Sequence, residues 1–205
     1  MAIDEATLAV ARAAKGFMPD DEGLALHEAA LDGGSLGPIL EVGSYCGKSA
    51  VYLGAAARAN GTVVFTVDHH RGSEENQAGW EHHDPDVVDP RTGRMDTLPF
   101  LRRTLEQADL ERVVVAVVGD SPVVARYWRT GLGLLFIDGG HALDVAMADY
   151  DAWGRYLLPG GLLAIHDVFE DPADGGQAPF EVWQRAVTDG FTAESTTGSL
   201  RLLRR

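Results

Sequence analysis

The chain has 205 residues, 45% of them hydrophobic, enough for one sizeable core and too few for two comfortable domains, so a single domain over residues 1–205 is expected. A formal charge of −14, with bases only in short groups such as Arg102-Arg103 and Arg204-Arg205, argues against nucleic acid and anionic membranes as partners. A lone cysteine, Cys46, excludes an internal disulfide and a cysteine-built metal site, and the lack of a basic leader or long apolar run predicts a cytoplasmic protein.

In chain order, the stretch to about Leu31 predicts two amphipathic helices within an N-terminal extension, residues 1–33. The second is started by Pro19-Asp20-Asp21 and carries Leu24, His27 and Leu31 at helical spacing, so His27 reads as packing. After Gly33-Gly34, short apolar runs alternate with helical segments, the pattern of an α/β domain with a mainly parallel sheet. Strands are expected at Pro38 to Val42, Thr62 to Val67, Arg112 to Val118, Leu132 to Ile137 and Gly161 to Ile165. Steps of three and four predict helices through Leu98, Leu101, Leu105 and Ala108, and through Leu143, Ala146, Tyr150, Trp153 and Leu157. From Phe191 to Leu203 the chain predicts an antiparallel hairpin turning around Thr197-Gly198-Ser199. Residues 69–97 follow no period and hold His69, His70, His82 and His83, whose spacing fits no compact zinc motif; a loop this long predicts a lid or substrate loop.

The first strand runs through Glu41-Val42 into the turn Gly43-Ser44-Tyr45-Cys46-Gly47-Lys48-Ser49 and then a helix. In a parallel sheet such a turn lies at the carboxyl edge, where ligands bind, and glycine lets backbone N–H groups approach them. A P-loop needs four residues between its glycines where this turn has three, and a nicotinamide fingerprint wants glycine where Tyr45 stands. A merely tight strand-helix turn remains an alternative.

The second strand ends at Asp68, where a carboxylate can accept both ribose hydroxyls of a nucleoside, with His69 beside it. The third runs into Gly119-Asp120-Ser121 and the fourth into Asp138-Gly139-Gly140-His141; the fifth, after Pro159-Gly160-Gly161, finishes in His166-Asp167. Acids at four consecutive strand ends cost energy unless paired or liganded, so a ligand site is expected on this edge. Asp138 and Asp167 end neighbouring strands, and their carboxylates can converge on one cation.

Glu41, Gly43 and Gly47 resemble the E/D-x-G-x-x-x-G motif of class I S-adenosylmethionine-dependent methyltransferases, and the resemblance extends from about Gly34 to the C-terminus. It implies a Rossmann-like, doubly wound, mainly parallel seven-stranded sheet with an antiparallel C-terminal hairpin, to which the N-terminal helices are added. It also implies S-adenosylmethionine as cofactor, held by Glu41, Gly43, Ser44, Gly47, Ser49, Asp68, His69 and Asp138, with Gly119, Asp120 and Ser121 at the adenine. Within the class the chain is similar to metal-dependent O-methyltransferases, including catechol and macrolide-sugar enzymes, which supply one acid after the fourth strand and a pair after the fifth. Carried over, Asp138, His166 and Asp167 become ligands of Mg²⁺ or Mn²⁺, with His166 where that family has a carboxylate. His141, three residues after Asp138, has the spacing of the general base in the sugar-methylating enzymes.

Asp68 to Trp80 and Asp138 to His141 also resemble the actinobacterial methylmannose-polysaccharide O-methyltransferases. That likeness implies a small-molecule or oligosaccharide acceptor bearing a hydroxyl; the long loop, with Arg71, Glu74, Glu75, Asn76 and Trp80, is expected to fold over the cofactor and contribute polar groups to the acceptor pocket. A homodimer is compatible with it. The open alternatives are a phenolic or other natural-product acceptor, a nicotinamide- or metal-dependent oxidoreductase, and a protein that binds the cofactor without turnover.

Overall fold

The structure, a computed structural model, describes residues 2–73, 76–77 and 83–205. The expectations that rest on Glu74, Glu75, Trp80 and His82 lie outside the described residues. Helix α1 (Glu5–Ala13) starts at Asp4, whose carboxylate accepts the Thr7 N–H. Helix α2 (Asp20–Gly33) follows Pro19 and opens with Asp20, Asp21 and Glu22, where the helix dipole favours negative charge.

The chain then alternates: β1 (Ile39–Val42), α3 (Lys48–Asn60), β2 (Val64–Asp68), a short hairpin of β3 (Val88–Asp89) and β4 (Arg94–Met95), and α4 (Leu98–Gln107). It continues through β5 (Val114–Val118), α5 (Ser121–Tyr127), β6 (Leu132–Ile137), α6 (Leu143–Trp153), β7 (Leu157–Ile165), α7 (Ala178–Thr188), β8 (Thr192–Thr197) and β9 (Leu200–Arg204). Seven strands form one sheet in the order β5-β2-β1-β6-β7-β9-β8. The first five are parallel, and β9 pairs antiparallel with both β7 and β8. This is the expected doubly wound, Rossmann-like sheet with a terminal hairpin. The strand order reverses between β1 and β6, which opens a crevice at their carboxyl ends.

Helices on both faces leave every residue of β6 buried, and its alternation divides the core. Leu134 and Phe136 join Leu26, Tyr52 and Leu101 under α2, α3 and α4, whereas Leu135 and Ile137 join Trp153 and Val182 under α6 and α7. Helices α2 and α3 approach closely because residue 23 is glycine: a Cβ there would lie 2.4 Å from the Tyr52 ring. His27 is buried in α2, with its Nδ1 3.0 Å from the Tyr52 carbonyl oxygen.

The structure departs from the expected elements in three places. Strand β7 begins at Leu157 rather than Gly161, because Leu132 pairs with Leu157 before the register shifts to Leu134 with Leu162. The preceding helix accordingly stops at Trp153, and a 3-10 turn over Gly154–Tyr156 leads into the strand. Residues 83–97 are not a bare loop: a 3-10 turn at Pro85–Val87 and the β3–β4 hairpin pack Val87 and Met95 against Cys46, beside Tyr45 and Phe100. Lys15 fastens the segment from outside through Asp84 at 2.6 Å and Asp86 at 2.9 Å. Among the described residues, no helix is long and apolar enough to cross a membrane.

Candidate functional site

The turn between β1 and α3 is shaped by the protein's own backbone. Gly43 has φ +91°, and a Cβ on it would lie 2.1 Å from the Asp138 carbonyl oxygen; at Gly47, φ +92°, one would lie 2.7 Å from Leu101 Cδ1. Asp68 accepts the N–H groups of Ser44 and Tyr45 on Oδ2, each at 3.0 Å, and that of His70 on Oδ1 at 2.7 Å. Tyr45 and His70 have φ of 44° and 59°, so this carboxylate fastens two residues in a conformation that side chains rarely adopt. His69 is more exposed, and its Nδ1 accepts the Arg71 N–H.

Glu41 is fully buried beneath the turn, where the Thr66 hydroxyl donates to it and is itself hydrogen-bonded to Ser44. Burial pushes its carboxyl up to about 8, and the hydroxyls of Ser49 and Thr66 offset only part of that, so Glu41 is protonated at neutral pH. At the next strand end, Gly119 donates its N–H to the Asp68 carbonyl, and Asp120 caps α5 by accepting the Val123 N–H. Ser121 accepts the Trp153 indole N–H at 2.7 Å. Asp149, which no sequence motif marks, is buried close by in α6, and desolvation pushes its carboxyl up to about 6.

On the other side of the crevice, Asp138, His141 and Asp167 each offer a ligand atom, all within 4.8 Å of one another. His141 Nε2 lies 3.3 Å from Asp167 Oδ2. Asp167 adopts φ +55°, a left-handed conformation at a strand end that side chains other than glycine seldom take. Burial opposes its ionisation, but hydrogen bonds from His141 and His166 outweigh that and hold the carboxyl well below the usual range.

His166 lies between these acids and helix α2: its Nδ1 is 3.0 Å from Asp138 Oδ1 and 3.4 Å from Asp167 Oδ2, and its Nε2 is 2.5 Å from Glu22 Oε2. Burial favours the neutral ring, yet Asp138 above all, with Asp167 and Glu22, pushes it up to about 12. Both ring nitrogens thus face carboxylates, and the three groups whose ligand atoms lie together are Asp138, His141 and Asp167, with the His166 ring packed behind them.

Glu22 is the participant that sequence reasoning misses. It reads as an ordinary first-turn acid of α2, but the structure buries it and gives it the N–H and hydroxyl of Ser199 in addition to His166. Those hydrogen bonds hold its carboxyl below the usual value against the opposing effect of burial. A signal for the contact exists in the strand alternation: Leu162 and Ala164 belong to the core under α2, and His166 continues their face.

Residues 40–168 match a family model described as a methyltransferase domain. The fold resembles that of the O-methyltransferase NovP, at 14% identity and TM-score 0.68 over 91% of this chain and 80% of that one. It also resembles the O-methyltransferase TomG from Streptomyces achromogenes, involved in tomaymycin synthesis and solved in complex with SAM, at 18% identity and TM-score 0.64 over 98% of this chain and 89% of that one. A third similar structure is the calicheamicin methyltransferase CalS11, at 22% identity and TM-score 0.59 over 88% of this chain and 76% of that one. With the family model spanning more than half of its length, the chain belongs to the methyltransferase-domain family.

Proposed function

We propose that this methyltransferase moves the methyl group of S-adenosylmethionine to a hydroxyl of a small acceptor, a sugar such as a mannoside, with a divalent cation at Asp138 and Asp167 and His141 as general base. The observation that carries this reading is the meeting of Asp138, His141 and Asp167 at the ends of β6 and β7, against the glycine turn. Two carboxylates at neighbouring strand ends suit Mg²⁺ or Mn²⁺, cations that take oxygen ligands. Such a cation would stabilise negative charge developing on the acceptor oxygen.

The chain's own groups supply the remainder. The turn from Gly43 to Gly47 with Ser44 and Ser49, the Asp68-His69 corner and Gly119-Asp120-Ser121 line the strand ends at which the donor is held. Bound there, S-adenosylmethionine would supply the methyl group and keep the electron pair of its broken carbon–sulfur bond on sulfur, and the proton of the acceptor hydroxyl would pass to His141. Asp167, 3.3 Å from Nε2, stabilises the charge that His141 then carries. A phenolic or other natural-product acceptor is the second reading, favoured by similar structures named for tomaymycin and calicheamicin.

The test is methyl transfer from labelled donor to a panel of sugars and phenols, with Mg²⁺, with Mn²⁺ and with excess EDTA. A sugar methylated only with metal present is the expected result. Full activity in EDTA removes the cation, and tight NADH binding without a response to S-adenosylhomocysteine removes the methyl donor. Methylation of phenols alone selects the second reading.

A further inference from the structure

We infer that Glu22 is a positioning residue for the Asp138–His141–Asp167 site, acting through His166; the inference rests on the reading of that site as a cation site. Glu22 and His166 are each 3% exposed, and 144 residues separate them in the chain. The imidazole is a rigid link. Gripped at Nε2 by Glu22, it presents Nδ1 to Asp138 and Asp167 at 3.0 and 3.4 Å, so both carboxylates bear on one ring nitrogen whose place is set from behind. Phe136 packs edge-on to the same ring, its centroid 6.3 Å away.

Glu22 is confined in its turn. Its carboxylate accepts the N–H and hydroxyl of Ser199 at the tip of the β8–β9 hairpin. At the neighbouring Gly198, φ +52°, a Cβ would lie 2.0 Å from Glu22 Oε1, so the carboxylate fits only while residue 198 is glycine. Joining α2 to the hairpin does not require charge, because apolar side chains of similar volume replace a buried ion pair with little or no loss of stability. What an apolar pair cannot do is present a ring nitrogen, fixed in direction, to Asp138 and Asp167. Without Glu22 the ring loses the contact that fixes it from behind, and the nitrogen that faces the two acids loses its set place.

The experiment uses MnCl₂ as probe, titrated calorimetrically into the full chain saturated with S-adenosylhomocysteine. Glu22→Gln is expected to weaken Mn²⁺ binding by about tenfold or more, the usual cost of losing a group that orients metal ligands. The affinity for S-adenosylhomocysteine, measured separately, should stay within about twofold, because Glu22 itself is not among the residues proposed to hold the donor. Gly198→Ala, which displaces the carboxylate without deleting it, should weaken Mn²⁺ in the same way. In a His166→Asn background, Glu22→Gln should add less than about twofold, because the link it acts through is already gone. A lowered Tm with unchanged Mn²⁺ affinity in Glu22→Gln or Gly198→Ala overturns the inference and leaves Glu22 as a brace of the fold. A wild-type protein that takes up no Mn²⁺ overturns the cation reading itself, and the inference with it.

Discussion

Gly43 abuts the backbone of Asp138 so closely that a single added carbon would stand 2.1 Å from its carbonyl oxygen. The turn after β1 and the first acid of the proposed cation site are thus two sides of one contact. Gly43→Ala must move backbone and hold φ near +91° with a side chain, so a loss of more than about 2 kcal/mol is expected in a urea titration, together with weaker S-adenosylhomocysteine binding. Wild-type stability and affinity in this variant would mean that the contact relaxes without cost.

Replacing His141 separates proton transfer from scaffolding. As general base, His141→Ala should lower kcat by about 10²–10⁴-fold and leave S-adenosylhomocysteine affinity unchanged. The rate-pH profile should lose the limb that reports the general base. A near-normal kcat in a well-folded variant would move the base elsewhere, first to His69 or His70.

Asp68 is expected to act twice, on the donor ribose and on the turn. Asp68→Ala should weaken S-adenosylhomocysteine binding by about 1–3 kcal/mol, the range for charged hydrogen bonds. Because three backbone N–H groups lose their acceptor, the Tm of the ligand-free variant should fall as well. A fall in Tm with unchanged affinity would assign the carboxylate to the turn alone.

Glu41 makes stability depend on pH. Its carboxyl titrates near 4.5 in ordinary surroundings and at about 8 when folded, so between those values the native state keeps a proton that the unfolded chain has released. The protonated group costs nothing extra below about 4.5, and stability then declines with rising pH by about 1.4 kcal/mol per unit until the folded group ionises. Glu41→Gln should remove this decline. The difference between the wild-type and variant unfolding energies, followed from pH 5 to 8, isolates Glu41 from the other buried groups; a constant difference would contradict the raised value.

The parallel strands and the acids at their ends are legible in the sequence because both are local signals. The run Leu132–Ile137 is apolar without a break, as a strand covered on both faces must be, and Asp138 follows it directly. The surroundings of His166 are not local. Strand alternation turns its ring toward α2, but that Glu22 meets it there, and that Asp167 at φ 55° brings its carboxylate back to within 3.4 Å of the same ring, is set by the tertiary fold. Glu22 is hidden by its own context, since Asp20, Asp21 and Glu22 together satisfy the usual preference for acids at a helix start, and only tertiary packing singles one of them out. Helix α5, seven residues long, has too few turns for its period to stand out. Within residues 69–97, the packing of Val87 and Met95 on Cys46 joins residues that no periodicity relates.

The hydrogen bond from Ser199 to Glu22 spans 177 residues, and β9, which carries the chain onward from that turn, is hydrogen-bonded along the free edge of β7. On the ribosome, the glycine turn, Asp138, His141 and Asp167 all emerge well before that strand. A nascent chain therefore exposes its acidic edge while the last partner of Glu22 is still being synthesised, and contacts of this sequence separation form late because their loop-closure entropy is met last. Completion of the centre waits on translation of the β8–β9 hairpin, so a ribosome stalled after Asp167 would hold every proposed cation ligand without the hairpin contact that braces Glu22.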